Sequence, residues 1–184
     1  RDMDFVALPT MPVVYGAGFF DAVLTGELAG IEYNPMLLVH GEQALMLHSQ
    51  LPTEGTINAT PTITNIYDKG SGMLVIVEMA LDDAAGQRVA TTTSAIFLRG
   101  MGGFGGERGS STKIELPERQ PDAIHEQVTD PKQALIYRLS GDYNPLHIDP
   151  QIAAFARFDR PILHGLATYG FAGRAILKHF CDNE

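Results

Sequence analysis

An aspartate and a histidine stand five residues apart, Asp142 and His147, within Tyr137-Arg138-Leu139-Ser140-Gly141-Asp142-Tyr143-Asn144-Pro145-Leu146-His147-Ile148-Asp149-Pro150. A carboxylate and an imidazole held in fixed relation can trade a proton with a substrate near neutral pH, which is general acid/base chemistry. The stretch has the makings of a stiff turn. Gly141 ends a helix, Pro145 fixes its own φ, and Asn144 before it is pushed to an extended or turn state. A plainer reading stands beside this one: an aspartate here caps a helix and a histidine satisfies a backbone carbonyl. Spacing alone does not choose between them.

A second stretch is Arg160-Pro161-Ile162-Leu163-His164-Gly165-Leu166-Ala167-Thr168. Gly165 sits where an apolar helix starts. Its N–H is one of the unpaired donors of the first turn, aided by the helix dipole, and glycine lets a ligand approach closely. Such a donor can hold a carbonyl oxygen that gains negative charge. The plain alternative is a tight loop-to-helix turn. His164 reads as a packed or capping histidine.

Other chemistry is set aside by what the motifs lack. Gly100-Met101-Gly102-Gly103-Phe104-Gly105 fits a dinucleotide-binding pattern, but Pro117 and Pro121 follow it in place of a helix. The pyrophosphate-on-helix mechanism then has no helix to use, and the glycines read as a flexible connection. The six histidines show no metal spacing, and Cys181 is the only cysteine, so neither a zinc site nor an intrachain disulfide is expected. No Gly-x-Ser-x-Gly is present.

The elements that must position these residues fall into two unlike parts. From about Met11 to Arg99 the chain reads as β structure, with strands expected at Leu45–Gln50, Thr62–Tyr67, Met73–Leu81 and Gln87–Leu98. Asp82–Gly86 joins the last two as a hairpin turn, and Asp68–Gly72 is a second turn. Poor alternation in these runs implies strands buried on both faces. A glycine-rich loop, Gly100–Gly109, and a polar linker follow. The second part is helical. Asp130-Pro131 opens one helix that Ser140-Gly141 ends, Asp149-Pro150 opens a short one through Phe155, and a third runs from Gly165 to Phe180. The third is apolar nearly all round for three turns, so it is expected to be enclosed.

The formal charge of -9 over 184 residues argues against a nucleic-acid or anionic-membrane partner. Pro161–Leu177 is too short and too interrupted to span a bilayer. Arg1–Phe5 has no apolar core of signal-peptide type, and the absence of an opening Met points to missing upstream residues.

Ser140–Pro150 followed by Pro161–Thr168 resembles the signature of the MaoC-like dehydratases, and more closely that of the type 2 enoyl-CoA hydratases. The likeness extends to Leu38-Val39-His40-Gly41-Glu42-Gln43, Asp68-Lys69-Gly70 and Phe97 through Gly106, in the same order. It covers about Met36 to Phe180. The resemblance implies an α+β double hot-dog fold, each repeat an antiparallel sheet wrapped around a central helix. The first repeat, residues 1–109, is degenerate, having lost most of its helix, and serves acyl-CoA binding. Residues 110–127 are a linker, and 128–184 open the catalytic repeat. The second sheet of the family lies beyond the end of this sequence, so the second repeat is truncated. The apolar helix is then expected to need cover from a longer chain or from a partner.

Residue by residue, the resemblance places the acid/base pair on Asp142 and His147, the accompanying asparagine on Asn144 and the oxyanion-hole glycine on Gly165. Substrate contacts fall on His40, Gly41 and Lys69, and along the loop through Tyr143, Pro145 and Leu146. For His40, Gly41 and Lys69 the plain readings are an edge-strand turn and an exposed hairpin lysine. The implied activity is reversible hydration of trans-2-enoyl-CoA to (3R)-hydroxyacyl-CoA in fatty-acid or sterol side-chain β-oxidation, without a metal or resident cofactor. The partners implied are an acyl-CoA substrate and a second copy in a homodimer, in the peroxisome of a eukaryote or the bacterial cytoplasm. A hot-dog thioesterase and a non-catalytic acyl-CoA-binding module are the alternatives.

Overall fold

A computed structural model describes residues 6–110 and 114–182 of the chain. Four long strands form one antiparallel sheet in the order β3-β6-β5-β4: Leu38–Leu47 (β3), Ile57–Asp68 (β4), Gly72–Asp83 (β5) and Arg88–Arg99 (β6). The expectation of strands buried on both faces is corrected: the inner strands alternate, β5 burying Met73, Val75, Val77, Met79 and Leu81 on one face while Glu78 on the other is exposed, and β6 burying mainly Ala90, Thr92, Ser94, Ile96 and Leu98. Their turn forms where expected. The Asp83 carboxylate accepts the N–H groups of Ala85 and Gln87, both at 2.9 Å.

Two strands differ from expectation. β3 spans Leu38–Leu47 rather than Leu45–Gln50, because Gly41 forms a bulge that breaks the pattern: His40 pairs with Ile96, and Glu42 with Ala95. β4 begins at Ile57, five residues before the expected Thr62. It carries Pro61, which is tolerated because β4 is an edge strand.

The expectation of β structure from Met11 onward is corrected. Pro12 lies in a 3-10 turn over Met11–Val14, and a seven-residue helix, α1, spans Ala17–Val23. Phe19 and Val23 lie four residues apart, on one helical face, and that face meets the sheet. Val23, Leu28, Tyr33, Met73, Val75, Val77, Ile96 and Leu98 make a buried cluster with Phe19 packed against it. The Tyr33 hydroxyl donates to the Val23 carbonyl and ties the end of α1 to the segment after it. A two-residue hairpin, Glu27–Leu28 (β1) with Ile31–Glu32 (β2), completes this layer.

The glycine-rich loop is pinned rather than flexible. Asp68 is buried at the end of β4, and its carboxylate accepts from the N–H groups of Gly70 (2.8 Å), Gly103 (2.9 Å) and Gly105 (2.8 Å). These bonds, that of Gly103 foremost, hold the Asp68 carboxyl below its ordinary range. Gly102 is required by a close approach: a Cβ there would lie 2.3 Å from the Gly70 carbonyl oxygen.

Residues 114–132 are exposed and form no helix or strand. α2 spans Gln133–Tyr137, starting later than Asp130-Pro131 suggests. Asp130 instead closes a local turn, accepting the Lys132 N–H at 2.7 Å. α2 continues as a 3-10 turn, Arg138–Ser140, and stops at Gly141 with φ 107°. α3 is Pro150–Phe155, capped by the Asp149 carboxylate, and α4 is Gly165–Phe180. The expected enclosure of α4 is not seen among the described residues. Only Ala167 is buried, while Ile176 and Phe180 are exposed. The sheet covers α1 instead. α4 touches the N-terminal segment, where a Cβ on Gly173 would lie 2.5 Å from Thr10 Cγ2.

Candidate active site

Gly141, in its left-handed conformation, turns the chain out of α2 so that the next six residues fold on themselves. The Asp142 carboxylate accepts the Asn144 N–H at 3.1 Å, and the Asn144 side chain accepts the Leu146 N–H at 3.0 Å. Pro145 starts the 3-10 turn Pro145–His147, whose last residue presents the imidazole. His147 Nδ1 lies 2.8 Å from the Ile162 carbonyl. A carbonyl only accepts, so Nδ1 carries a proton, and in the neutral ring the lone pair is then on Nε2.

His164 is 1% exposed, buried as the packed histidine the sequence suggests, but what it packs on is the site itself. Its ring stacks on His147 with centroids 3.7 Å apart, and its Nε2 lies 3.2 Å from the Asp142 carbonyl. Burial, reinforced by the adjacent His147, lowers its pKa to about 4, against the pull of the Asp142 charge. His164 is therefore neutral, with Nε2–H donating to the carbonyl.

Asp142, Asn144 and His147 border one cavity of about 350 Å³, set between the N-terminal part and the helical part. Val13, Val14, Phe20, Val23, Leu24, Met36 and Leu38 give it an apolar wall. Tyr137, Ser140, Asp142, Asn144, His147 and Gly165 gather on the other side, with His40 and Arg99 coming from the sheet. Gly165 is the first residue of α4, and no atom lies within 4 Å of where its Cβ would stand. The His40 ring lies 5.7 Å from Phe20, and burial pushes its pKa down.

Of the residues the sequence singles out, Asp142, Asn144, Leu146, His147, Gly165 and His40 line this cavity together. Gly41 sits in the bulge beside His40. Pro145 is exposed and stiffens the turn. Tyr143 is 55% exposed, its ring against the Arg138 guanidinium at 5.3 Å. Lys69 lies on the β4–β5 turn, 5.5 Å above the Tyr67 ring, and its ammonium donates to the Ser110 carbonyl at 3.5 Å. None of these four lines the cavity. Tyr137, Ser140 and Arg99 do, and the sequence reading did not pick them out. The only signal for Tyr137 was its place one turn before the helix-ending Gly141. Asp142, His147 and His164 also bring three ligand atoms within 4.8 Å of one another, a grouping that no metal-spacing motif reveals.

Comparison with known proteins identifies the family. Residues 1–100 match the MFE-2 hydratase 2 N-terminal domain, and residues 113–184 match the MaoC like domain. A probable enoyl-CoA hydratase 2 of Dictyostelium discoideum is 46% identical over 98% of this chain. Peroxisomal multifunctional enzyme type 2 of Mus musculus is 39% identical over 98% of it. The chain spans 63% of the first relative's length and 25% of the second's. The crystal structure of a MaoC-like dehydratase from Phytophthora capsici superposes with a TM-score of 0.87 at 38% identity, over all of this chain and 65% of that one. A Mycobacterium tuberculosis protein with a double hot-dog fold, 14% identical, superposes at 0.52 over 93% of this chain and 59% of its own, a likeness of fold alone. The chain belongs to the MaoC-like dehydratase family, in the group that carries the hydratase 2 N-terminal domain.

Proposed function

We propose that the protein is an (R)-specific enoyl-CoA hydratase, equally a (3R)-hydroxyacyl-CoA dehydratase, acting in β-oxidation of acyl-CoA thioesters. The observation that carries this reading is the meeting of Asp142, Asn144, His147 and Gly165 on one cavity with an apolar wall. The wall takes the acyl chain. A water lies between Asp142 and His147. One of the pair takes a proton as the water oxygen bonds C3, the other delivers a proton to C2, and the proton then passes between them to reset the pair. The double bond thus gains H and OH, and nothing is oxidised or reduced. Asn144 orients the water. The Gly165 N–H, at the positive end of α4, binds the thioester oxygen as enolate charge develops.

CoA enters as part of the substrate, with His40 and Gly41 near the ester and Lys69 meeting a phosphate as a point charge. In this reading no resident cofactor or metal takes part, and two copies form a homodimer. Relatives include peroxisomal enzymes, and no described helix is long and apolar enough to cross a membrane. We place the protein in the peroxisome if its source is eukaryotic, in the cytoplasm if bacterial. Incubation of the full-length protein with crotonyl-CoA tests the reading. The expected product is (3R)-hydroxybutyryl-CoA. Free CoA would indicate a thioesterase instead, and no turnover a binding module.

A further inference from the structure

Among the described residues, three buried side-chain polar atoms have no hydrogen-bond partner: His40 Nε2, Tyr137 Oη and His164 Nδ1. All three belong to this one site. His40 and Tyr137 line the cavity, and His164 stacks on His147. A buried polar atom left unpaired is costly, so native folds pair nearly all of them. Where a phenol of this chain is structural, the fold does pair it: Tyr33 is buried and its hydroxyl donates to the Val23 carbonyl. The Tyr137 hydroxyl is left without such a partner, in the wall of a cavity built for a ligand.

Its position favours one kind of partner. Tyr137 closes α2 one turn before Gly141, and its ring packs on His164 with centroids 4.8 Å apart. His164 in turn stacks on His147 and bonds the Asp142 carbonyl. The phenol is therefore fixed to the same support as the acid/base pair. Burial, and after it the Asp142 charge, raises the phenol pKa to about 12, so the hydroxyl keeps its proton and acts as a donor.

We propose that Tyr137 is a substrate-contacting residue whose hydroxyl donates a hydrogen bond to the C3 oxygen, the attacking water before addition and the hydroxyl of the product after it. This rests on the hydratase reading of the site. Tyr137 then selects for an oxygen at C3 and helps hold the water over the face on which it adds.

The test is Tyr137→Phe in the full-length protein, which removes one oxygen and keeps the ring against His164. The variant should lose about tenfold in kcat/KM for crotonyl-CoA and bind (3R)-3-hydroxybutyryl-CoA about tenfold more weakly, as for one neutral hydrogen bond. Butyryl-CoA, which has no C3 oxygen, should bind as before. The melting temperature of the free protein should hold or rise, since the hydroxyl is unpaired without ligand. Equal weakening of both ligands, no weakening of either, or a lowered melting temperature overturns the proposal. Wild-type protein that does not hydrate crotonyl-CoA removes the hydratase reading and this proposal with it. Active wild type with an equally active Tyr137→Phe removes this proposal alone.

Discussion

His164 lies face to face with His147, ring centroids 3.7 Å apart and planes 27° apart, while its Nε2 reaches the backbone carbonyl of Asp142 at 3.2 Å. One buried ring thus touches both members of the acid/base pair. It does so as a neutral group, because burial penalises its charged form and the adjacent His147 ring adds to that penalty.

This contact predicts an acid-labile fold. The pKa of His164 is about 4 when folded and near the ordinary imidazole value of 6.5 when unfolded. The unfolded chain then binds more protons between those values, so stability is full above pH 6.5 and falls as pH drops toward 4. The loss is on the order of a few kcal/mol at most. Denaturant midpoints across that range should show it, and His164→Gln should flatten the slope. A slope unchanged in that variant would assign the acid lability elsewhere.

The pair itself is tested by Asp142→Asn and His147→Gln. Each should lower kcat by about a hundredfold or more. Affinity for a saturated acyl-CoA should change little, since neither side chain is needed to seat the acyl chain. Near-normal turnover in either variant would remove that residue from the chemistry.

Two glycines of α4 should respond in opposite ways to alanine. At Gly165 a methyl meets no protein atom within 4 Å, so Gly165→Ala should unfold at the same or a higher temperature yet lose turnover, because the methyl stands where the ligand must approach. At Gly173 a methyl would press on Thr10 Cγ2 at 2.5 Å, so Gly173→Ala should cost about 1–3 kcal/mol of stability. Thr10→Ser removes that Cγ2 and should restore part of the loss. Thermal melts beside crotonyl-CoA turnover decide both cases.

The pinned glycine loop gives a prediction away from the chemistry. In Asp68→Asn an amide N–H2 replaces one oxygen that accepts backbone N–H groups, so the loop over Gly100–Gly109 should open and become cleavable under limited proteolysis at neutral pH. The depressed carboxyl of Asp68 also contributes stability above its unfolded pKa of 3.8, and that contribution is lost as pH falls below it. A protease pattern identical to wild type would show that the clamp is not what holds the loop.

Much of this was legible in the sequence where local chemistry decides structure. Asp149-Pro150 fixed α3 because cap and first-turn proline act within three residues, and Gly165–Phe180 was set by a run of mostly apolar and small residues without a proline. Asp142 and His147 stood out because one stiff turn carries both. The short helix α1 was missed because Gly16 and Gly18 argue against a helix, and packing on the sheet overrides that preference. The pinning of the glycine loop was hidden because Asp68 acts 35 and 37 residues away from Gly103 and Gly105. Tyr137 and His164 were unremarkable in sequence because their meaning lies in which polar atoms go unpaired, a property of three-dimensional packing alone.

The exposed stretch 114–132 joins two parts whose facing surfaces make the cavity. Such a segment acts as a tether, and its role is to keep the two walls at a high effective concentration of each other. Tethers are forgiving: doubling the length of a flexible one adds only about 0.6 kcal/mol of closure entropy. Lengthening this segment should therefore leave the cavity formed at little cost in stability.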